Sequence, residues 1–174
     1  MAPAPEKGEL AGRLHLVTNA SSEPGLKVAR DLYRRGAMVV LTGPTKEEAQ
    51  SAAAQLRGEA QSSNSNVGIV EGAAMQPYDL DAVRAFVASF KQRCKKLHCI
   101  VHCPVDDGTQ SHEAADFPDG VDKALAANHL APFLLTQLLL PLLINSGSAR
   151  PRRSNTARAS AQRLQRLAPM PSWA

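Results

Sequence analysis

The chain has 174 residues, of which 44% are hydrophobic and 4% are aromatic, and its formal net charge is +4. This length and apolar content fit one domain with a packed core and exclude a wholly disordered protein. The charge is uneven: the first 122 residues carry 13 basic against 16 acidic side chains, whereas the last 52 have seven basic residues and no carboxylate. The net positive charge therefore comes from the tail and does not indicate a nucleic-acid-binding domain.

The chain shows no sign of export. Its first ten residues contain no signal-peptide core, and no apolar run looks long and uninterrupted enough for a membrane span. Three cysteines without an export signal indicate reduced thiols. We therefore expect a cytoplasmic protein with no membrane span and no specific nucleic-acid partner.

Short apolar runs alternate with amphipathic stretches up to about residue 145. The apolar runs predict four β-strands, at Arg13–Val17, Ala37–Leu41, Asn66–Glu71 and Leu97–His102. The stretches between and after them predict four helices, at Gly25–Arg35, Lys46–Gly58, Asp79–Lys91 and Leu125–Leu143. Strands separated by helices of about a dozen residues imply right-handed crossovers and a parallel sheet with helices on both faces.

The composition changes after Asn145, where Arg, Ser, Ala, Pro and Gln dominate and no strand-like run follows. We expect a flexible N-terminus over residues 1–10, an α/β domain over 11–145, and a basic, irregular tail over 146–174 that is disordered or loosely docked. A tail of this composition also arises when a reading frame is lost, and one sequence does not separate these origins.

The junction of the first strand and first helix, Val17–Gly25, reads V-T-N-A-S-S-E-P-G. It resembles the T-G-x-x-x-G-x-G turn of the short-chain dehydrogenase/reductase family, and specifically of its retinol-dehydrogenase and WW-domain-oxidoreductase branch. Further segments resemble the same family in the same order: Gly36–Leu41, Asp81–Phe86, Leu97–Val105 and Ala127–Thr136.

The resemblance implies a Rossmann-like, doubly wound parallel sheet, here truncated after about four strands, and binding of NAD or NADP. It places the cofactor-binding positions at Thr18, Asn19, Ser21, Ser22, Gly25, Gln76 and Cys103.

The turn departs from the family pattern at two of its three glycines. Gly25 is retained, Asn19 replaces the first glycine, and Glu23 replaces the second. Asparagine tolerates left-handed backbone angles, whereas Glu23 puts a negative charge where the resemblance places the pyrophosphate. We expect this turn mainly to start a helix, capped by Ser21 or Ser22, and to bind a dinucleotide weakly.

The other cofactor contacts are also altered. Pro44 stands where this branch usually has an Arg for a 2′-phosphate, and no acidic residue replaces it, so NAD and NADP are not distinguished. Gln76 aligns with the family's adenine-contacting Asp, and its amide retains hydrogen-bonding capacity. The family's Asn-Ala-Gly triplet becomes Cys103–Val105, and Val105 is expected to crowd the ribose side.

Hydride transfer in this family uses a Tyr with a Lys four residues on, a Ser and an Asn. The tyrosines Tyr33 and Tyr78 lack a Lys at that spacing, and of the four catalytic positions only Asn128 remains. Pro132 follows Asn128 by four residues and cannot donate the helical hydrogen bond to the Asn128 carbonyl, which predicts a kink there. We expect Asn128 to be a structural residue inherited from the family, with little catalytic role.

A cluster of metal-ligand residue types lies around the fourth strand: Cys94, His98, Cys99, His102 and Cys103. On a strand, His98 and His102 face one side while Cys99 and Cys103 face the other, and same-face pairs lie about 13 Å apart. Zinc ligands lie about 2.0–2.3 Å from the metal. We therefore expect no metal site.

These observations together predict an NAD(P)-dependent oxidoreductase by family whose chain is catalytically inactive. The alternative is a non-enzymatic interaction module or a dimerising, truncated form. The Leu-rich helix Leu125–Leu143 covers more than one apolar face, so we expect a homodimer or association with a full-length relative through it.

Overall fold

The computed structural model describes residues 8–61, 67–105 and 122–147. Four parallel strands lie in the order β3-β2-β1-β4. The strands are β1 Leu14–Val17, β2 Met38–Gly43, β3 Ile69–Ala74 and β4 Cys99–Val101. The first three helices are α1 Glu23–Arg34, α2 Lys46–Gln61 and α3 Leu80–Arg93. A fourth helical run, α4, spans Lys123–Ser146.

Local signals at the helix ends explain where the helices begin. Ser22 caps α1, which has Glu23 and Pro24 in its first turn. The Asp79 carboxylate caps α3 by accepting hydrogen bonds from the N–H groups of Asp81 (2.8 Å) and Ala82 (3.1 Å). Such caps satisfy amides that have no partner inside the helix.

The chain after α1 turns back through Gly36, whose φ is +90°. Glycine adopts this left-handed angle at little cost, and the helix ends at Arg34, within one residue of the predicted end at Arg35.

Helices cover both faces of the sheet and make two hydrophobic clusters. One cluster lies under α1 and α2 and includes Val17, Leu41 and Leu56. The other lies under α3 and α4 and includes Leu16 and Leu135. The doubly wound α/β class predicted from the alternating runs is therefore confirmed. Leu10, just before the predicted domain start at residue 11, is buried in the first cluster, and its N–H donates to the Arg35 carbonyl (3.0 Å).

The third strand lies three residues later than the predicted Asn66–Glu71. Its register pairs Met38 with Ile69 and Gly43 with Ala74. A Cβ at Gly72 would lie 2.2 Å from the Ala49 carbonyl oxygen, so α2 packs directly on the strand backbone. Glycine is disfavoured inside strands by its residue type alone. Here a larger residue would not fit against α2, so β3 continues through Gly72.

The helical run α4 has three parts: an α-helical turn at Lys123–Leu125, a π-helical turn at Ala126–Leu130 and an α-helix at Ala131–Ser146. Among the described residues, this 24-residue run is long and apolar enough to cross a membrane by length and composition, with a mean hydropathy of 1.5. The run meets these two criteria although the sequence analysis expected no run to do so, and the expected absence of a membrane span stays a prediction. Core helices also meet that criterion, and the inner face of α4, with Ala131, Leu135 and Leu139, packs in the second cluster.

Candidate functional site at the carboxyl edge of the sheet

The turn between β1 and α1 brings the helix N-terminus close to the strand end. Asn19 has a φ of +48°, the left-handed angle that its short polar side chain tolerates. A Cβ at Gly25 would lie 2.5 Å from the Asn19 carbonyl oxygen and 2.8 Å from the Ala20 Cα. The one retained glycine of the motif is therefore required for this close approach.

The two serines of the turn differ in their roles. Ser22 Oγ donates to the Asn19 carbonyl (2.6 Å) and accepts from the Gly25 N–H (3.4 Å), so it is the helix cap. Ser21 is exposed. Glu23 begins α1, and its carboxylate pairs with Lys27 one turn on, at 2.5 Å. That hydrogen bond lowers the pKa of Glu23, so the carboxylate is ionised at neutral pH.

Three side chains tie the end of β4 to its neighbours. The Cys103 N–H donates to Thr18 Oγ1 (3.1 Å), and Asn19 Nδ2 donates to the Pro104 carbonyl (2.6 Å). On the other side, Asn128 Oδ1 accepts from the Val105 N–H (2.7 Å), and its Nδ2 donates to the Val105 carbonyl (3.0 Å). The segment after β4 is thus held between the glycine turn and the π-helical turn.

Asn128 lies inside that π-helical turn. The α-helical hydrogen-bond pattern is interrupted before Pro132, which has no N–H: the Ala131 N–H donates to the Ala126 carbonyl, five residues back. A kink at this position stays a prediction. The Asn128 side chain bridges to the Val105 backbone, which is a structural role. Sequence reasoning did not foresee this bridge, because it joins residues 23 positions apart.

His102 contacts the same helix through Thr136. Thr136 Oγ1 donates to the Pro132 carbonyl (2.7 Å) and lies 2.8 Å from His102 Nε2. Because the hydroxyl proton is used on Pro132, His102 Nε2 must donate in this pair. Although the residue is exposed overall, desolvation lowers the pKa of His102 to about 4, so its ring is neutral at pH 7.

These elements enclose a crevice of about 20 Å³ at the carboxyl ends of β1, β2 and β4. Thr18, Asn19 and Cys103 line it, together with Pro44 and Val105. Ser21, Ser22, Gly25 and Gln76 lie outside its lining. Such a volume holds about one water, so a dinucleotide would lie across the crevice mouth rather than within it.

Two buried polar atoms near this edge have no hydrogen-bond partner in the part of the chain that the structure describes: Thr42 Oγ1, at the end of β2, and Gln76 Oε1, just after β3. Buried polar atoms are normally paired, and an unpaired one at a crevice suits a donor from a ligand or water. Thr42 lines the crevice, whereas Gln76 Oε1 is buried outside its lining, so the contact of Gln76 with an adenine edge stays a prediction. Thr42 was missed by the sequence analysis, although a hydroxyl at the carboxyl end of a parallel strand is a usable signal.

The residues present fit a dinucleotide in part. Thr42, in the crevice lining, has a hydroxyl without a partner among the described residues, and the close turn at Gly25 is preserved. Against this, the ionised Glu23 side chain stands in the first turn of α1, where an N–H cradle would otherwise attract phosphate. Val105 narrows the crevice from the β4 side.

The cluster around β4 is not arranged for a metal. Among residues 8–61, 67–105 and 122–147, no group of three or more His, Cys, Asp and Glu side chains is placed to hold an ion. Burial raises the pKa of the Cys99 and Cys103 thiols, so both are protonated at neutral pH.

Comparison with known proteins shows which family and which sequences this chain resembles. A family profile described as short chain dehydrogenase matches residues 13–150. The chain is 37% identical over 142 residues to human dehydrogenase/reductase SDR family member 13, and 33% identical over 142 residues to bovine retinol dehydrogenase 12. It covers 35% and 42% of those proteins, with 81% and 82% of its own length.

Solved structures show the same fold. The Pseudomonas aeruginosa RhlG/NADP active-site complex is matched with a TM-score of 0.65 at 24% identity, over 82% of this chain and 50% of that one. A metagenomic short-chain oxidoreductase in complex with NADP gives a TM-score of 0.62 at 24% identity, over 87% of this chain and 71% of that one.

Proposed function

This chain belongs to the short-chain dehydrogenase family, and on that premise we propose that it forms the nucleotide-binding half of an NAD(P)-dependent oxidoreductase. The strand order carries the proposal: the chain leaves β1 toward β2 on one side, and β4 lies on the other. Such a switch point is where open α/β sheets bind ligands, at the carboxyl ends of the strands. The hydrogen bond between Cys103 N–H and Thr18 Oγ1 lies at this point.

The proposal covers NAD and NADP alike. Pro44, at the end of β2, supplies neither a carboxylate for a ribose hydroxyl nor a guanidinium for a 2′-phosphate. We place the adenine near Gln76 and the pyrophosphate near the turn of Thr18, Asn19, Ser21, Ser22 and Gly25. A bound nicotinamide cofactor supplies or accepts the hydride, and this chain's own residues bind and orient it.

A polypeptide of these 174 residues has no Tyr-x-x-x-Lys pair. Asn128 does not replace one, because its amide is engaged with the Val105 backbone. We therefore propose that this polypeptide binds nucleotide weakly and does not itself transfer hydride.

Replacing Glu23 with glutamine is expected to tighten binding of NAD or NADP several-fold. The change removes a negative charge from the first turn of α1 and releases Lys27 from its ion pair, so both effects favour phosphate. Titration calorimetry on the parent and the variant measures this. The matched control is Glu47→Gln, which removes an exposed carboxylate from the first turn of α2.

Two results would contradict the proposal. One is tight binding by the parent chain or equal affinity of parent and Glu23→Gln. The other is cofactor-dependent absorbance change at 340 nm with a carbonyl or alcohol substrate that disappears in Asn128→Ala.

A second candidate function, association with another chain through the predicted segment Leu125–Leu143, has its own support. The outer side of α4 leaves large apolar side chains exposed: Leu125 by 49%, Phe133 by 49% and, just beyond the segment, Ile144 by 50%. Surfaces of this kind favour burial against a partner, here a second copy or a full-length relative. Light scattering at micromolar concentration should show an oligomer that Phe133→Glu dissociates, and a monodisperse parent monomer would contradict it.

A further inference from the structure

A second and much larger cavity, of about 690 Å³, lies between α3 and the open face of β2 and β3. It is separate from the carboxyl-edge crevice, since the two share no lining residue. Its lining includes Gly12, before β1, and His98, before β4, so it extends toward the amino ends of the strands. The volume lies within the range of small-molecule sites, about 300–1,000 Å³.

Most of the floor and wall of this groove is apolar, although Glu71 lies on the floor strand between Ile69 and Ala73. Met38 and Val40 of β2 and Ile69 of β3 form its floor, and Phe86 and Phe90 of α3 form its wall. The two phenylalanine rings contact each other with centroids 5.7 Å apart. Ile69 is 65% exposed, which is unusual for a strand residue of this size. The floor along β3, from Ile69 to Ala74, is about 16 Å long.

One end of the groove carries positive charge. Arg93 closes it on one side and is held by Glu71 through two contacts of 2.6 and 2.7 Å. Lys95 and Lys96 follow it in the lining, and within the described ranges no carboxylate is in ion-pair contact with either. Among the described lining residues, the two lysines and Arg93 outnumber the one carboxylate, Glu71, so the charge at this end is net positive.

We propose that this groove binds a single long alkyl chain with a terminal carboxylate, namely a free fatty-acid anion. The alkyl chain lies along Met38, Val40 and Ile69, against Phe86 and Phe90, and the carboxylate lies at Lys95 and Lys96. The groove length matches an extended chain of about a dozen carbons, and its charged end matches the head group. The site is independent of nucleotide binding.

Dodecanoate below its micelle concentration is the probe, titrated into the 174-residue chain by calorimetry. Affinity is expected to rise about tenfold for every two carbons from octanoate to dodecanoate, because each added methylene leaves water. Dodecanol, with the same chain and no charge, is expected to bind at least fivefold more weakly. NADP at saturation is expected to leave the dodecanoate affinity unchanged, which separates this site from the crevice.

Two pairs of variants locate the site. Lys95→Gln with Lys96→Gln is expected to weaken dodecanoate binding about fivefold, whereas Lys27→Gln with Lys46→Gln, on helices of the opposite face, leaves it unchanged. Ser89→Trp fills the groove from its exposed wall position and is expected to abolish binding. Ala88→Trp, at the preceding exposed position of α3 and outside the lining, is expected to keep dodecanoate binding.

The proposal is overturned by any of three results. These are no binding of dodecanoate by the folded parent, equal loss in Ser89→Trp and Ala88→Trp, and sedimentation with phosphatidylserine vesicles without binding of monomeric dodecanoate. Chain-length dependence with selective loss in Ser89→Trp supports it, and circular dichroism establishes that each variant is folded.

Discussion

Replacing His15 with leucine is expected to stabilise the domain by about 2–3 kcal/mol at pH 4.5, and by less at pH 7. His15 is only 6% exposed, and neither of its ring nitrogens has a hydrogen-bond partner within residues 8–61, 67–105 and 122–147. Burial lowers the pKa of His15 from 6.5 to about 4, and the positive charges of His98 and Arg13 add to the shift. The folded state therefore favours the neutral ring.

The direction of the pH dependence follows from that shift. Because the unfolded chain binds a proton at His15 below about pH 6.5 and the folded chain only near pH 4, His15 makes the protein less stable as the pH falls through this interval. Glu59, whose pKa Arg30 lowers, loses its stabilising contribution only below about pH 4.5. Changes in the free energy of unfolding between pH 6.5 and 4.5 therefore come mainly from histidine residues.

Urea unfolding between pH 4.5 and 7 measures the effect. The parent is expected to lose stability on acidification, and His15→Leu to lose markedly less. Burial also lowers the pKa values of His98 and His102, which contribute in the same direction in both proteins. The exposed His129 provides the control substitution, His129→Gln. Parallel pH profiles for the parent and His15→Leu would show that His15 is not buried as a neutral ring.

Replacing Gly25 with alanine is expected to destabilise the domain by about 3 kcal/mol and to abolish nucleotide binding. The added Cβ would lie 2.5 Å from the Asn19 carbonyl oxygen and 2.8 Å from the Ala20 Cα. Both atoms belong to the backbone, so no side chain can move away to make room. The turn must open, which moves the start of α1 away from the end of β1.

Gly58→Ala is the matched control, since no atom of the described residues lies within 4 Å of the position that its Cβ would occupy. Gly58 lies in the interior of α2, where alanine favours the helix by up to about 1 kcal/mol. Urea unfolding of the two variants is therefore expected to shift in opposite directions. Equal stability of Gly25→Ala and the parent would show that the turn does not hold α1 against β1.

Much of the fold follows from signals that are local in the sequence. All four predicted strands and all four predicted helices exist, because hydrophobic period and capping residues such as Ser22 and Asp79 act over a few positions. The interruption of α4 at Pro132 was predictable for the same reason, since a proline removes one defined hydrogen bond. The predicted strand boundaries were less accurate: β4 spans Cys99–Val101, which is shorter than the predicted Leu97–His102.

The candidate site was predicted only in part. Thr18, Asn19 and Cys103 do meet at the carboxyl edge, and Gly25 holds the turn beneath them. The bridge from Asn128 to Val105 and the unpaired oxygens of Thr42 and Gln76 were not foreseen. Each depends on how distant segments pack, which a single sequence does not state. The predicted tail over 146–174 lies outside the described residues beyond 147 and stays a prediction, as does a cytoplasmic location.

The sequence by itself determined the α/β class, the family and the position of the glycine turn, because hydrophobic period, glycine and proline act on the backbone within a few residues. Only the tertiary structure decided the register of β3, the small volume of the crevice and the wide groove beside α3. Those features depend on the distance between elements, which the summed packing of many side chains sets. Gly72 illustrates the contrast between local and tertiary effects. By residue type alone, glycine weakens a strand, but the α2 backbone packs so closely on this position that only glycine fits.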